Sequence, residues 1–136
     1  MPIRKIGNAT LAVAVIASVL LASLLVGTAT AHVKRFDSTV RITDYADNAS
    51  FLGAVSSERK ACKRKRRVTV WKRNPGAMDG PVGTARTNRR GIWAVFAPNA
   101  DSAVYYATVK RRVLRKSAKH RHVCKPARSP SFKLRR

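Results

Sequence analysis

Hydrophobic and polar residues alternate with a period of two along most of the chain after residue 35. Phe36, Val40 and Ile42 fall on one side of this alternation, and residues 51–55 and 68–73 repeat it. Successive side chains of a β-strand point to opposite faces, so this period predicts strands with one buried face. Beyond residue 31 no stretch has the spacing of an amphipathic helix. The pattern therefore predicts an all-β domain.

About seven short strands are expected, because clusters of Gly, Pro, Asn and Asp interrupt the alternation at regular intervals. The predicted strands cover residues 36–42, 51–55, 68–73, 82–87, 92–97, 103–114 and a segment near 132–134. Parallel pairing of neighbouring strands requires helical crossovers, which the pattern does not offer. We therefore predict a two-sheet antiparallel sandwich.

The first 31 residues have the pattern of a secretory signal peptide that forms a helix. Arg4 and Lys5 precede an apolar run over residues 11–26, and small residues follow at positions 28–31. Such a segment is removed during export, here with cleavage after Ala31. An uncleaved anchor is the alternative, because the apolar run approaches the roughly 18 residues that span a bilayer. The membrane would then be contacted through this segment only.

Export of the chain leaves residues 32–136 as a single β-sandwich domain, with a core over about residues 36–134. Removing Arg4 and Lys5 from the 29 basic residues leaves 27, which against six acidic residues gives a net charge of +21. Such a charge attracts polyanions without selecting among them. The expected location is extracellular or within the cell envelope.

The chain has two cysteines, Cys62 and Cys124. An even number of cysteines in a small exported domain predicts a disulfide bond. A bond between positions 62 apart contributes roughly 4 kcal/mol in the chain-entropy model. Two free thiols are the alternative.

Several short motifs occur in the order found in a group of secreted bacterial single-domain β-sandwich proteins. They are FLGAVSS at 51–57, VTV at 68–70, VGT at 82–84, TNRRGIW at 87–93, YYATV at 105–109 and CKPARS at 124–129. This group is similar in architecture to transthyretin-like and carboxypeptidase-regulatory-like domains. The resemblance implies an immunoglobulin-like or transthyretin-like Greek key, a Cys62–Cys124 bond and inward positions for Tyr105, Ala107 and Val109. It implies no common activity.

The strands at 68–73 and 103–114 are expected to be neighbours, as in immunoglobulin-like topology, and to share a basic outer face. If Val68 and Val70 lie in the core, the residues between them point outward, as do the alternate residues of the strand at 103–114. The predicted face consists of Arg67, Trp71, Arg73, Tyr106, Lys110 and Arg112. Cations attract an anionic polymer, and flat rings stack on its bases or sugars. The alternative is a solvated surface that only keeps the protein soluble.

No group of residues in the sequence points to catalysis. The six acidic residues are scattered and lie mostly in predicted turns, where they cap the backbone. A disulfide bond would remove both thiols as nucleophiles. We therefore predict a protein that is not an enzyme, with no cofactor and no small-molecule substrate.

Copper binding is the alternative function. Cleavage after Ala31 would make His32 the first residue, and its amine and imidazole resemble the copper-binding brace of lytic polysaccharide monooxygenases and copper-carrying sandwich proteins. His120 and His122 would share one face of a strand and could add imidazole ligands. Basic neighbours of these histidines disfavour a bound cation. The sequence thus favours a secreted, non-enzymatic binding or structural module for anionic polymers, such as nucleic acid or an envelope or matrix polyanion, over a copper protein.

Overall fold

The computed structural model describes residues 32–117 and 119–136, which fall within one compact unit, Ala31–Arg136. The predicted signal peptide and its cleavage site lie outside the described residues. In the described part of the chain the elements are β1 (His32–Phe36), β2 (Thr39–Ala46), β3 (Ser50–Ser56), α1 (Lys60–Lys63), β4 (Arg67–Lys72), β5 (Gly80–Arg86), β6 (Ile92–Phe96), β7 (Val104–Val109), β8 (Arg112–Lys116), β9 (His120–Cys124), β10 (Ala127–Arg128) and β11 (Phe132–Lys133). None of the described helices is long and apolar enough to cross a membrane.

The strands form three sheets. The first sheet is antiparallel, with the order β2–β3–β6. The second sheet is also antiparallel, with the order β10–β7–β4–β5, and β11 pairs with β7 as well. The third sheet is small, with the order β1–β9–β8. The prediction of an all-β fold built from packed antiparallel sheets is confirmed.

The core lies between the first and second sheets, where the alternation predicted it. The inward residues expected on β3, β4 and β7 are all buried: Phe51, Gly53, Val55, Val68, Val70, Tyr105, Ala107 and Val109. Trp93 of β6 lies opposite Gly53, and a Cβ at position 53 would collide with its indole ring. Each large apolar side chain buried in this way contributes roughly 1.5–3 kcal/mol to folding.

The Cys62–Cys124 disulfide bond is present and joins α1 to the end of β9. Both cysteines are fully buried. The prediction of this bond is confirmed.

Arg66 is a buried cation next to the disulfide bond. Its side chain is 1% exposed. The guanidinium donates hydrogen bonds of 2.7–3.0 Å to Ser38 Oγ and to the carbonyl oxygens of Cys62, Lys110 and Lys125. Burial is the main reason that the pKa of Arg66 is lowered. The four acceptors belong to four separate segments, so one side chain holds these segments together.

β1 and β9 pair in parallel, and the expectation of antiparallel pairing throughout is wrong for these two strands. Their register runs from His32 opposite His120 to Phe36 opposite Cys124. A helical crossover is unnecessary here, because nearly the whole domain lies between the two strands and forms the connection.

The strand predicted over residues 103–114 is in fact two strands in different sheets. β7 ends at Val109 and pairs with β4, whereas β8 begins at Arg112 and pairs with β9. The described part of the chain therefore has eleven strands rather than about seven, and β10 and β11 have only two residues each.

Candidate functional site

The outer surface of the second sheet carries a group of cations around two aromatic residues. β4 and β7 are neighbours, as predicted, with Trp71 opposite Tyr106 and Thr69 opposite Thr108. Register partners in a sheet point to the same side, so alternate residues of β5, β10 and β11 share this surface. The basic face, as we call it, consists of Arg67, Trp71, Arg73, Arg86, Tyr106, Arg128 and Lys133. Arg73 directly follows β4 and donates its backbone N–H to the Val104 carbonyl of β7 at 2.8 Å.

Trp71 and Tyr106 lie at the centre of the basic face. Their rings are stacked with centroids 6.4 Å apart and planes inclined by 12°. The Trp71 indole donates a hydrogen bond of 2.9 Å to Thr108 Oγ1. The Arg128 guanidinium lies 3.7 Å above the Tyr106 ring and covers it, so Tyr106 is only 7% exposed. Trp71, which is half-buried, is therefore the more accessible of the two rings.

Asp79 introduces one negative charge beside the basic face. The Tyr106 hydroxyl donates to Asp79 Oδ2 at 2.7 Å, and the Asn74 backbone N–H donates to Oδ1 at 3.0 Å. These bonds, the Tyr106 bond first, lower the pKa of Asp79, and the charges of Arg73 and Arg128 act in the same direction. The same hydroxyl–carboxylate bond raises the pKa of Tyr106. An ionised Asp79 therefore holds the side chain of Tyr106 in the position in which Arg128 covers its ring.

Four of the six residues predicted for the face share it: Arg67, Trp71, Arg73 and Tyr106. The expectation is wrong for Arg112, which lies on β8 in the third sheet and donates through Nη1 to the Arg64 carbonyl at 2.8 Å. Lys110 directly follows β7 and is exposed, and it lines a pocket together with Thr108 and Arg128, so it borders the basic face. The error for Arg112 comes from the division of the predicted long strand into β7 and β8, because side-chain alternation does not show where a chain passes from one sheet to another.

Three cations of the basic face were not predicted: Arg86, Arg128 and Lys133. Arg86 lies opposite Arg67 on β5, and the predicted edge strand at 82–87 could have placed it there. Arg128 and Lys133 belong to strands of two residues, which are too short to show any periodicity.

The three histidines considered for copper all lie on the third sheet. His32 is opposite His120, and His122 lies two residues further along β9, opposite Lys34. The three imidazoles therefore share one side of the sheet. His122 also meets the Phe36 ring edge-on, with centroids 5.6 Å apart. In the part of the chain that the structure describes, no group of three or more His, Cys, Asp or Glu is placed to hold a metal ion.

The fold and the site together define a disulfide-bridged, all-β domain with a basic outer face. No family model and no curated protein matches the sequence. Among solved structures, the chain is similar to a 9R-lipoxygenase from Cyanothece PCC8801, with 14% identity and a TM-score of 0.33. The similarity covers 74% of this chain and 14% of the lipoxygenase. A likeness at this level carries no inference about function.

Proposed function

We propose that this protein is a secreted, non-enzymatic module that binds anionic polymers through the basic face. The observation that carries the proposal is the grouping of five cations on one side of the second sheet: Arg67, Arg73, Arg86, Arg128 and Lys133. A surface of this kind binds a polyanion mainly by releasing its condensed counterions.

Four cations of the basic face have the largest part in this proposal. The side chains of Arg67, Arg73, Arg86 and Lys133 are exposed. Arg128 is exposed as well, but its guanidinium already lies against the Tyr106 ring. Binding would therefore depend first on charge, and stacking on a ring would be a smaller contribution confined to Trp71.

Action outside the cytoplasm is part of the same proposal. The Cys62–Cys124 bond is compatible with an oxidising, extracellular compartment. Arg4, Lys5, the apolar run at 11–26 and the small residues before His32 support export through a cleaved signal peptide. Kinship with secreted transthyretin-like or immunoglobulin-like sandwich proteins stays a prediction that rests on the sequence motifs.

Two variants of equal net charge test whether the basic face is specific. One replaces four face cations by glutamine, namely Arg67, Arg73, Arg86 and Lys133. The control replaces four exposed cations outside the face, namely Lys34, Arg35, Lys60 and Lys119. Binding to a short labelled DNA duplex is measured by fluorescence anisotropy over a range of salt concentrations. The slope of log K against log salt changes by about 0.9 for each phosphate neutralised.

In the face variant, the slope of log K against log salt is expected to be less steep by several units. In the control variant, it should change by less than about one unit. If both variants lose the same amount, the attraction comes from the overall charge of the protein and not from this surface.

Copper binding is a second candidate because the register of the third sheet places His32 opposite His120. The donor set would be these two imidazoles and, after cleavage, the amine of His32, and nitrogen donors of this kind suit Cu²⁺. The backbone nitrogen of His32 lies 3.1 Å from the Lys119 carbonyl, to which it donates. In the cleaved protein, the amine of His32 would therefore lie next to β9.

Calorimetric titration with Cu²⁺ of protein that begins at His32 tests this candidate. Nanomolar binding that is lost in His32→Ala and in a protein retaining Ala31 as an extra first residue would establish the copper site. Binding that is micromolar or weaker, or that survives both changes, would exclude it.

A further inference from the structure

A second group of cations surrounds an open cavity at the end of the second sheet, outside the basic face. The cavity has a volume of about 490 Å³ and lies where the α1–β4 link, the β5–β6 link and the start of β8 meet. Four of its six lining residues are cations and none is acidic: Arg64, Lys65, Thr87, Asn88, Arg89 and Arg112.

The walls of this cavity are tied together by hydrogen bonds. The Lys65 N–H donates to the Thr87 carbonyl at 3.0 Å, and the Thr87 N–H donates to the Arg66 carbonyl at 2.9 Å. Arg112 Nη1 donates to the Arg64 carbonyl at 2.8 Å. The backbone around Arg64 and Lys65 and the side chain of Arg112 are thus held in place, which lowers the entropy lost when a ligand binds.

The charged residues that line this cavity are all cations, which favours a strongly anionic ligand. The charge of Arg112 reaches the buried Arg66, whose pKa it helps to lower. The salt bridges of the described residues, Lys72–Asp101 and Lys125–Asp37, lie elsewhere. No lining residue of this cavity is acidic, so a negative ligand would supply the charge that balances the four cations.

We propose that this cavity binds a condensed phosphate, a short chain of linked phosphoryl groups. One phosphate monoester supplies a charge of only about −1.5 to −2 at neutral pH, which is too little to balance four cations. The planar guanidinium groups of Arg64, Arg89 and Arg112 match phosphate oxygens in bidentate geometry. Among the lining residues there is no aromatic ring on which a nucleic-acid base would stack. Arg86 of the basic face donates to the carbonyl of Lys65 at 3.5 Å, but the cavity has no lining residue in common with that face, so its ligand can be tested separately from the proposed function.

Isothermal titration with tripolyphosphate, orthophosphate and sulfate at equal ionic strength tests the site. One tripolyphosphate is expected to bind per chain, at least about tenfold more tightly than orthophosphate or sulfate, because it engages more of the charged donors. The double variant Arg64→Gln/Arg89→Gln should weaken tripolyphosphate binding by about tenfold or more.

The matched control is Arg73→Gln/Lys133→Gln, which removes the same charge from exposed positions on the basic face. It should change tripolyphosphate affinity by less than about twofold, because distant exposed charges are screened. Equal weakening by both double variants would overturn the proposal, as would orthophosphate or sulfate binding as tightly as tripolyphosphate. Arg89→Glu alone, at an exposed turn residue, provides a second variant and should abolish binding.

Discussion

Arg66→Met is expected to lower the free energy of unfolding by about 3–5 kcal/mol. Methionine has similar length but makes no hydrogen bonds, so four oxygen acceptors around the side chain lose their donor. Each acceptor left unpaired in a buried place costs about 1–3 kcal/mol. Part of this loss of stability is offset, because the variant no longer has to desolvate a guanidinium when it folds. The loss is large beside the roughly 5–15 kcal/mol that stabilises a typical domain.

Urea denaturation of Arg66→Met and Arg67→Met measures this effect. Arg67 is the next residue along the chain, but its side chain is exposed, so its replacement should change stability by less than about 0.5 kcal/mol. Arg66→Lys should fall between wild type and Arg66→Met, because one ammonium group cannot reach all the acceptors. Equal stability of the two methionine variants would show that the buried hydrogen bonds contribute nothing net.

Removing the disulfide bond by Cys62→Ala/Cys124→Ala should destabilise the domain by roughly 4 kcal/mol, because the unfolded chain regains the entropy of a long loop. The bond spans a sequence separation of 62 residues. Thermal and urea unfolding measure the loss. Wild-type protein unfolded in the presence of a reductant is the control, because it keeps both side chains and lacks only the bond. A double variant as stable as oxidised wild type would contradict the prediction.

The effects of Arg66 and of the disulfide bond should not be additive. Arg66 donates to the carbonyl of Cys62 and to that of Lys125, which follows Cys124. Loss of the bond should loosen both acceptors, so the triple variant should lose less stability than the sum of its parts.

The sequence predicted those structural features that are set by residues close together in the chain. The burial of Val68 and Val70 and the outward direction of Trp71 follow from the alternation of a single strand. The pairing of β4 with β7 was expected from the immunoglobulin-like topology that the motifs imply, and the disulfide bond was expected because the chain has only two cysteines. These features account for the core and for the centre of the candidate site.

Features that depend on distant residues were not predicted. Tyr106 has the alternation of an exposed residue, but Arg128, more than twenty positions later, covers its ring. Arg66 stands in the run KRKRR at residues 63–67, where its neighbours Lys65 and Arg67 are exposed, and the sequence does not mark which of these cations is enclosed. The assembled fold decides the burial of both residues.

The parallel pairing of β1 with β9 also affects the order in which the domain can form. A ribosome makes β1 first, yet its partner is complete only when Cys124 has been added. Meanwhile β1 is an unpaired strand edge, and Lys34 and Arg35, both exposed, make it a poor template for pairing with another chain. Closing so long a loop costs chain entropy before any contact is gained, which slows folding. The third sheet therefore cannot be completed during synthesis until the last tenth of the chain is being added.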